Sequence, residues 1–220
     1  MSEIVAIDGP AGSGKSSVSK QVARELGFGY LDTGAAYRAL AWAVLEGDFE
    51  LANLAEVDLD ASFDYAISLD ADDFWVRVGV HDVTAAIREQ QVAEFVSQVA
   101  RIQTVRDFMK RLTHRLVAQS GRAGVVVEGR DITTVVAPDA KIRLLLTASE
   151  EVRLKRRSAE LSPQAAAEVH KQVSQRDQSD SKVVDFMTPA PGVTLVDSTD
   201  LNFVQTVAAV RELIERALGR

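Results

Sequence analysis

Residues 9–17 read Gly9-Pro10-Ala11-Gly12-Ser13-Gly14-Lys15-Ser16-Ser17, and the fold turns on what they mean. The spacing is G-x-x-x-x-G-K-[ST]. It follows the apolar run Ile4-Val5-Ala6-Ile7 and leads into Val18, Val22, Ala23 and Leu26 at helical intervals. A strand that enters a glycine-rich turn and leaves as a helix aims successive backbone N–H groups, and the positive end of the helix dipole, at one point. Glycine lets a phosphate approach the main chain closely. In this frame Gly9 through Ser17 cradle a nucleoside triphosphate, Lys15 reaches its β- and γ-phosphates, and the Ser16 hydroxyl is placed to bind Mg²⁺. The bland alternative is a glycine-rich turn that fits by accident, and the strand and helix on either side weigh against it.

Outward from the loop the chain alternates strand and helix, the mark of a parallel sheet. A helix over 15–27 is stopped by Gly27 and Gly29. Tyr30-Leu31-Asp32 is a short strand, and Thr33-Gly34 a turn before a helix from Ala35 to Leu45. Val125-Val126-Val127 is fully apolar, as a buried parallel strand requires. Ile142–Leu146 and Val193–Val196 are further strands, with helices over 150–161 and 202–218. These pieces predict an α/β fold: a five-stranded parallel sheet with helices on both faces. Between them, Phe63, Tyr65, Ile67 and Leu69 alternate, as do Phe74, Val76 and Val78 across the acidic turn 70–73, with Val80–Val83 as a possible third strand. Period two marks a small antiparallel insert spanning roughly 60–88 within a single domain of 1–220. Helical spacing returns at Val92–Val99 and again at Val105–Leu116.

Composition narrows the function. The 220 residues carry a net charge of -7, which argues against a general binder of nucleic acid or anionic membranes. There is no cysteine, so disulfides and thiolate metal sites are excluded and a reducing compartment is permitted. The three histidines, His81, His114 and His170, have no ligand-like spacing. No apolar run approaches a membrane span, and the expectation is a cytoplasmic protein that acts as a monomer.

In open parallel sheets, ligands sit beyond the carboxyl ends of the strands. The loop after Ile7, Asp32-Thr33-Gly34 and Gly129-Arg130-Asp131 all fall at such ends, which predicts one shared site. The guanine-reading Asn/Thr-Lys-x-Asp of a GTPase switch is absent, and the strand at Val125 ends in Glu128-Gly129-Arg130-Asp131 rather than in a motor ATPase's acidic pair. Those absences favour a kinase for a small molecule. Transfer of a phosphoryl group between two anions requires fixed cations, and guanidinium supplies them with bidentate geometry. Arg38, Arg130, Arg153, Arg156 and Arg157 are the candidates, the last three on a helix that could close as a lid over roughly 151–182. A solvated surface charge is the plainer reading of each, except for Arg130 at the end of a buried strand.

Several stretches occur in an order that resembles the bacterial cytidylate kinases: Gly9 to Ser16, Asp32-Thr33-Gly34-Ala35-Ala36-Tyr37-Arg38, Ser97-Gln98-Val99-Ala100 with Val105-Arg106, Gly129-Arg130-Asp131, and Arg176-Asp177-Gln178-Ser179-Asp180-Ser181. The resemblance implies phosphorylation of CMP and dCMP by ATP with Mg²⁺, on a nucleoside monophosphate kinase fold. It implies Thr33, Tyr37, Arg38 and Arg130 around the monophosphate. Ser97, Arg106 and Asp131 would be at the cytosine edge, and Arg176 and Asp180 near sugar and phosphate. Lys15, Arg130, Arg153 and Arg157 would stabilise the transferring group. Acceptors facing the cytosine amine would repel the carbonyl of uracil. Apart from the resemblance, Ser97 and Arg106 read as positions on a plain helix. The same chemistry on UMP, dTMP, AMP or shikimate remains open, as does a nucleotide-dependent switch.

Overall fold

The computed structural model describes residues 2–159 and 188–219. In chain order it begins with β1 (Glu3–Asp8), α1 (Lys15–Leu26), β2 (Gly29–Asp32) and α2 (Thr33–Glu46). A 3₁₀ turn (Leu51–Glu56) and a short α3 (Leu59–Ser62) precede β3 (Tyr65–Ile67), β4 (Val76–Val78) and β5 (His81–Asp82). Then come α4 (Gln90–Ala100), α5 (Gln103–Gln119), β6 (Gly124–Gly129) and a π-helical turn (Ile132–Val136). The chain continues through β7 (Ile142–Thr147), α6 (Glu150–Ala159), β8 (Thr194–Asp197) and α7 (Phe203–Leu218). Two compact units result. One is built from the chain up to Tyr30 and again from Arg122 onward, the other from Leu31–Gly121.

The first unit is organised by the five-stranded parallel sheet, in the order β2-β6-β1-β7-β8. Its central strands carry continuous apolar runs because both faces are covered. Val5, Ala6, Ile7, Val125, Val126 and Val127 are wholly buried. The register runs in parallel from Glu3↔Gly124 to Asp8↔Gly129, so β1 and β6 end side by side. α7 closes this unit through Val207, Val210 and Ile214, and begins with a reciprocal cap between Asn202 and Gln205.

The second unit pairs α2, α4 and α5 with a three-stranded antiparallel sheet, β3-β4-β5. The alternating stretches do form the expected hairpin, but the strands are short: Tyr65↔Val78 to Ile67↔Val76 on one side and Arg77↔Asp82 on the other. Phe63, predicted inside the strand, instead precedes it and packs edge-on against Phe49 and Phe108. The helix predicted from Ala35 starts two residues earlier, at Thr33. Asp32, the last residue of β2, is its N-cap and accepts from Ala35 N at 3.1 Å. Among the described residues no helix is long and apolar enough to cross a membrane. The predicted helix from Glu150 is described as far as Ala159. The rest of the expected lid region, including Arg176 and Asp180, lies outside the described residues.

Candidate active site

The loop between β1 and α1 is shaped by approaches that a side chain would block. A Cβ at Gly9 would lie 2.2 Å from the carbonyl oxygen of Leu146, so the residue is glycine because β7 is that close. Gly12 has φ +76 and would place a Cβ 2.5 Å from the carbonyl oxygen of Arg153. The turn closes through Ser13 N donating to Pro10 O, and α1 is entered with Val18 N donating to Gly14 O. The first-turn amides of a twelve-residue helix thus face the loop, the arrangement that favours an anion. Ser16 is exposed at the start of α1.

Lys15 does not hang in solvent. Its Nζ lies 3.1 Å from Glu128 Oε2, and Glu128 is 2% exposed at the end of β6. The Tyr30 hydroxyl donates to the other carboxylate oxygen of Glu128. A carboxylate buried this deeply requires a compensating cation and donors, and here it has both. The sequence signal for Glu128 is one acidic residue closing an apolar strand, which calls for a partner.

Arg130 follows β6 and donates from Nη1 to the carbonyl oxygen of Gly9 at 3.2 Å. Asp131 is half-buried, and its carbonyl oxygen accepts from Val135 N and Val136 N in the π-helical turn. That turn is held from below by Asp8, whose partners lie 124 and 125 residues away in sequence and leave no local pattern. Asp8 accepts from Ile132 N (2.9 Å), Thr133 N (2.8 Å) and Thr133 Oγ1 (2.6 Å). Burial pushes the Asp8 carboxyl up from its ordinary value, against the pull of the Thr133 and Ile132 hydrogen bonds and of the Lys15 charge. The structure therefore brings Gly9–Ser17, Lys15, Arg130 and Asp131 to the ends of two adjacent strands.

α6 lies along the same loop. Arg153 is buried and donates from Nη1 to the carbonyl oxygen of Ala11 at 2.9 Å. Arg156, read from the sequence as a lid arginine, is committed to four acceptors. Nη1 donates to Ser13 O (3.2 Å) and Ser198 Oγ (2.9 Å), and Nη2 to Ser198 O (2.8 Å) and Leu201 O (3.1 Å). Arg157 is half-buried on the same helix.

The remaining candidates belong to the second unit. Thr33 is the first residue of α2 and is buried, and Tyr37 and Arg38 are half-buried in its first two turns. Arg38 Nη2 donates to Asp32 Oδ2 at 2.8 Å, an ion pair with both side chains about 15% exposed. Ser97 stands half-buried on α4 and Arg106 half-buried in the first turn of α5, with only Arg101 and Ile102 between the two helices. Among the described residues no three His, Cys, Asp or Glu side chains gather to hold a metal ion. An exposed hydroxyl at Ser16 fits Mg²⁺ carried mainly by phosphate and water.

The cytidylate kinase family model matches residues 5–216. The cytidylate kinase of Cutibacterium acnes is 45% identical over 214 residues, covering 96% of this chain and 95% of that protein. That of Mycobacterium leprae is 38% identical, covering 98% and 97%. Among solved structures, the crystal structure of TT1252 from Thermus thermophilus superposes with a TM-score of 0.53 at 19% identity, covering 98% of each chain, which supports the fold. The motifs quoted from the sequence lie within that matched span, and the chain belongs to the cytidylate kinase family.

Proposed function

We propose that this protein transfers the γ-phosphoryl group of ATP to CMP and dCMP, giving ADP and CDP or dCDP. One observation carries the reading: a phosphate-binding loop whose lysine is already ordered against a buried carboxylate, in a chain that matches the cytidylate kinase model over nearly its whole length. Gly9 to Ser17 bind the ATP phosphates through backbone N–H groups. The Ser16 hydroxyl would be the protein's contact to Mg²⁺, which would supply neutralisation of the phosphate charge. Lys15 exchanges Glu128 for phosphate oxygens, an ion pair kept at the loop until nucleotide arrives.

The acceptor oxygen belongs to a phosphate already ionised near neutral pH, so no general base is needed. The chain's work is positioning and fixed positive charge. Arg130, Arg153 and Arg157 contribute that charge in the first unit, where the Arg130 and Arg153 guanidiniums are aimed by backbone carbonyls of the loop. In the second unit Thr33, Tyr37 and Arg38 hold the monophosphate at the N-terminus of α2, a position that favours an anion. Ser97, Arg106 and Asp131 read cytosine, and Arg176 and Asp180 serve sugar and phosphate. The segment 151–182 acts as a lid that excludes water. The enzyme works as a cytoplasmic monomer.

The test is ADP formation from Mg²⁺-ATP with CMP, dCMP, UMP, dTMP and AMP, each alone. Strong stimulation by CMP and dCMP only is expected. Stimulation by another monophosphate would leave the loop assignment standing and remove the base-reading trio.

A further inference from the structure

The turn that follows Arg130 and Asp131 begins without the cap its own sequence offers. Asp131 stands at the N-cap of the π-helical turn Ile132–Val136, and aspartate there ordinarily accepts from an amide two or three residues on. Its side chain makes no such bond. Asp8 does the capping instead, from 124 residues away. Its Oδ1 accepts from Ile132 N at 2.9 Å, and its Oδ2 from Thr133 N at 2.8 Å and Thr133 Oγ1 at 2.6 Å. Thr133 N is an amide that an Asp131 cap would take.

This exchange has a cost. Asp8 is 2% exposed and gives up its hydration, whereas Asp131, half-buried at the turn itself, would cap the same amide close to water. What is gained is that the Asp131 carboxylate is not spent on its own turn. Further bonds hold the same short stretch. Arg130 Nη1 donates to the carbonyl oxygen of Gly9, the residue after Asp8. Val135 N and Val136 N donate to the carbonyl oxygen of Asp131. Consecutive residues at the end of β1 thus fix the chain on both sides of Asp131, which sets where its side chain starts.

We propose that Asp8 determines specificity at the acceptor site: by capping the turn in place of Asp131, it releases the Asp131 carboxylate from that turn to accept from the amino group of cytosine. Asp8 is a positioning residue and touches no substrate. The inference rests on the reading of Asp131 as a base-reading residue. When Asp8 no longer accepts from Thr133 N, Asp131 folds back onto that amide, and discrimination between an amine and a carbonyl on the base falls.

The experiment measures the ratio of kcat/KM for CMP over UMP in the parent, Asp8→Asn, Thr133→Val and Asp131→Asn, and in each of the first two combined with Asp131→Asn. Asp8→Asn replaces one accepting oxygen by a donor and is expected to narrow the ratio about tenfold. Thr133→Val removes one of the two donors that hold Oδ2 and should narrow it about threefold. In the Asp131→Asn background neither should change the ratio by more than about twofold, because the carboxylate they position is gone. A merely structural role would lower the ratio alike in both backgrounds. Should Asp8→Asn fail to fold, Thr133→Val and its double variant decide. An unchanged ratio in the folded single variants overturns the proposal, as does full additivity with Asp131→Asn. If Asp131→Asn narrows the ratio while the other two do not, the role of Asp8 alone fails. If Asp131→Asn leaves the ratio unchanged, the base-reading role of Asp131 fails, and the inference with it.

Discussion

Replacing Arg156 by alanine separates a holding role from a catalytic one. The side chain joins three pieces of backbone: Ser13 in the phosphate loop, Ser198 after β8, and Leu201 before α7. Ser198 is wholly buried, and its hydroxyl, which accepts from Arg156, also donates to Thr147 O at 2.9 Å. Alanine removes four charge-assisted bonds. At about 0.5–1.5 kcal/mol net for each partly solvated bond, with some recovery by water, the loss is about 3 kcal/mol. For a chain of this size about 3 °C of Tm follows each kcal/mol, so Tm should fall by about 9 °C. Arg156→Lys, with one compact ammonium for four spread acceptors, should recover about a third of that. Urea unfolding of the three proteins gives the energies, and the KM for ATP should rise in step because the carbonyl of Ser13 loses its anchor. If Arg156→Ala unfolds within about 0.5 kcal/mol of the parent while kcat collapses, the arginine acts on the transferring phosphoryl group and the holding role is refuted.

Lys15→Ala should lower kcat by about three orders of magnitude while CMP binding survives, as steady-state kinetics and a CMP titration would show. It should also cost about 1–3 kcal/mol of stability, because Glu128 keeps a buried charge without its cation; unchanged turnover would remove Lys15 from the transfer step. Asp131→Asn or Arg106→Ala should narrow the CMP-to-UMP ratio of kcat/KM by about tenfold or more, with ATP parameters little changed. The carboxyl of Asp8 has a folded pKa above its unfolded one. Its contribution to stability is therefore present below the unfolded value of 3.8 and is lost as pH rises through the raised folded value. Asp8→Asn removes that dependence, so the stability difference in favour of the parent should shrink as pH rises above the unfolded value; a difference that grows with pH would contradict the raised value.

What the sequence made legible is what local chemistry encodes. The phosphate loop declares itself because the glycines and the lysine act within nine consecutive residues, and the sheet follows from apolar runs at Ile4, Val125 and Ile142. The insert showed through period-two alternation at Tyr65 and Val76. Boundaries slipped where one side chain decided them: Asp32 caps α2 and pulls its start back to Thr33. Partners remote in sequence were not legible. Asp8 finds Thr133, Lys15 finds Glu128, and Arg156 finds Ser198 only after the strands are in register.

Phosphoryl transfer to CMP is followed directly with ATP carrying a radioactive γ-phosphate, incubated with Mg²⁺ and CMP. Label in CDP, dependent on Lys15 and scarce when UMP replaces CMP, is the expected result. Label released only as inorganic phosphate, at a rate that CMP does not change, would contradict the claim and leave a nucleotide-hydrolysing switch on the same fold.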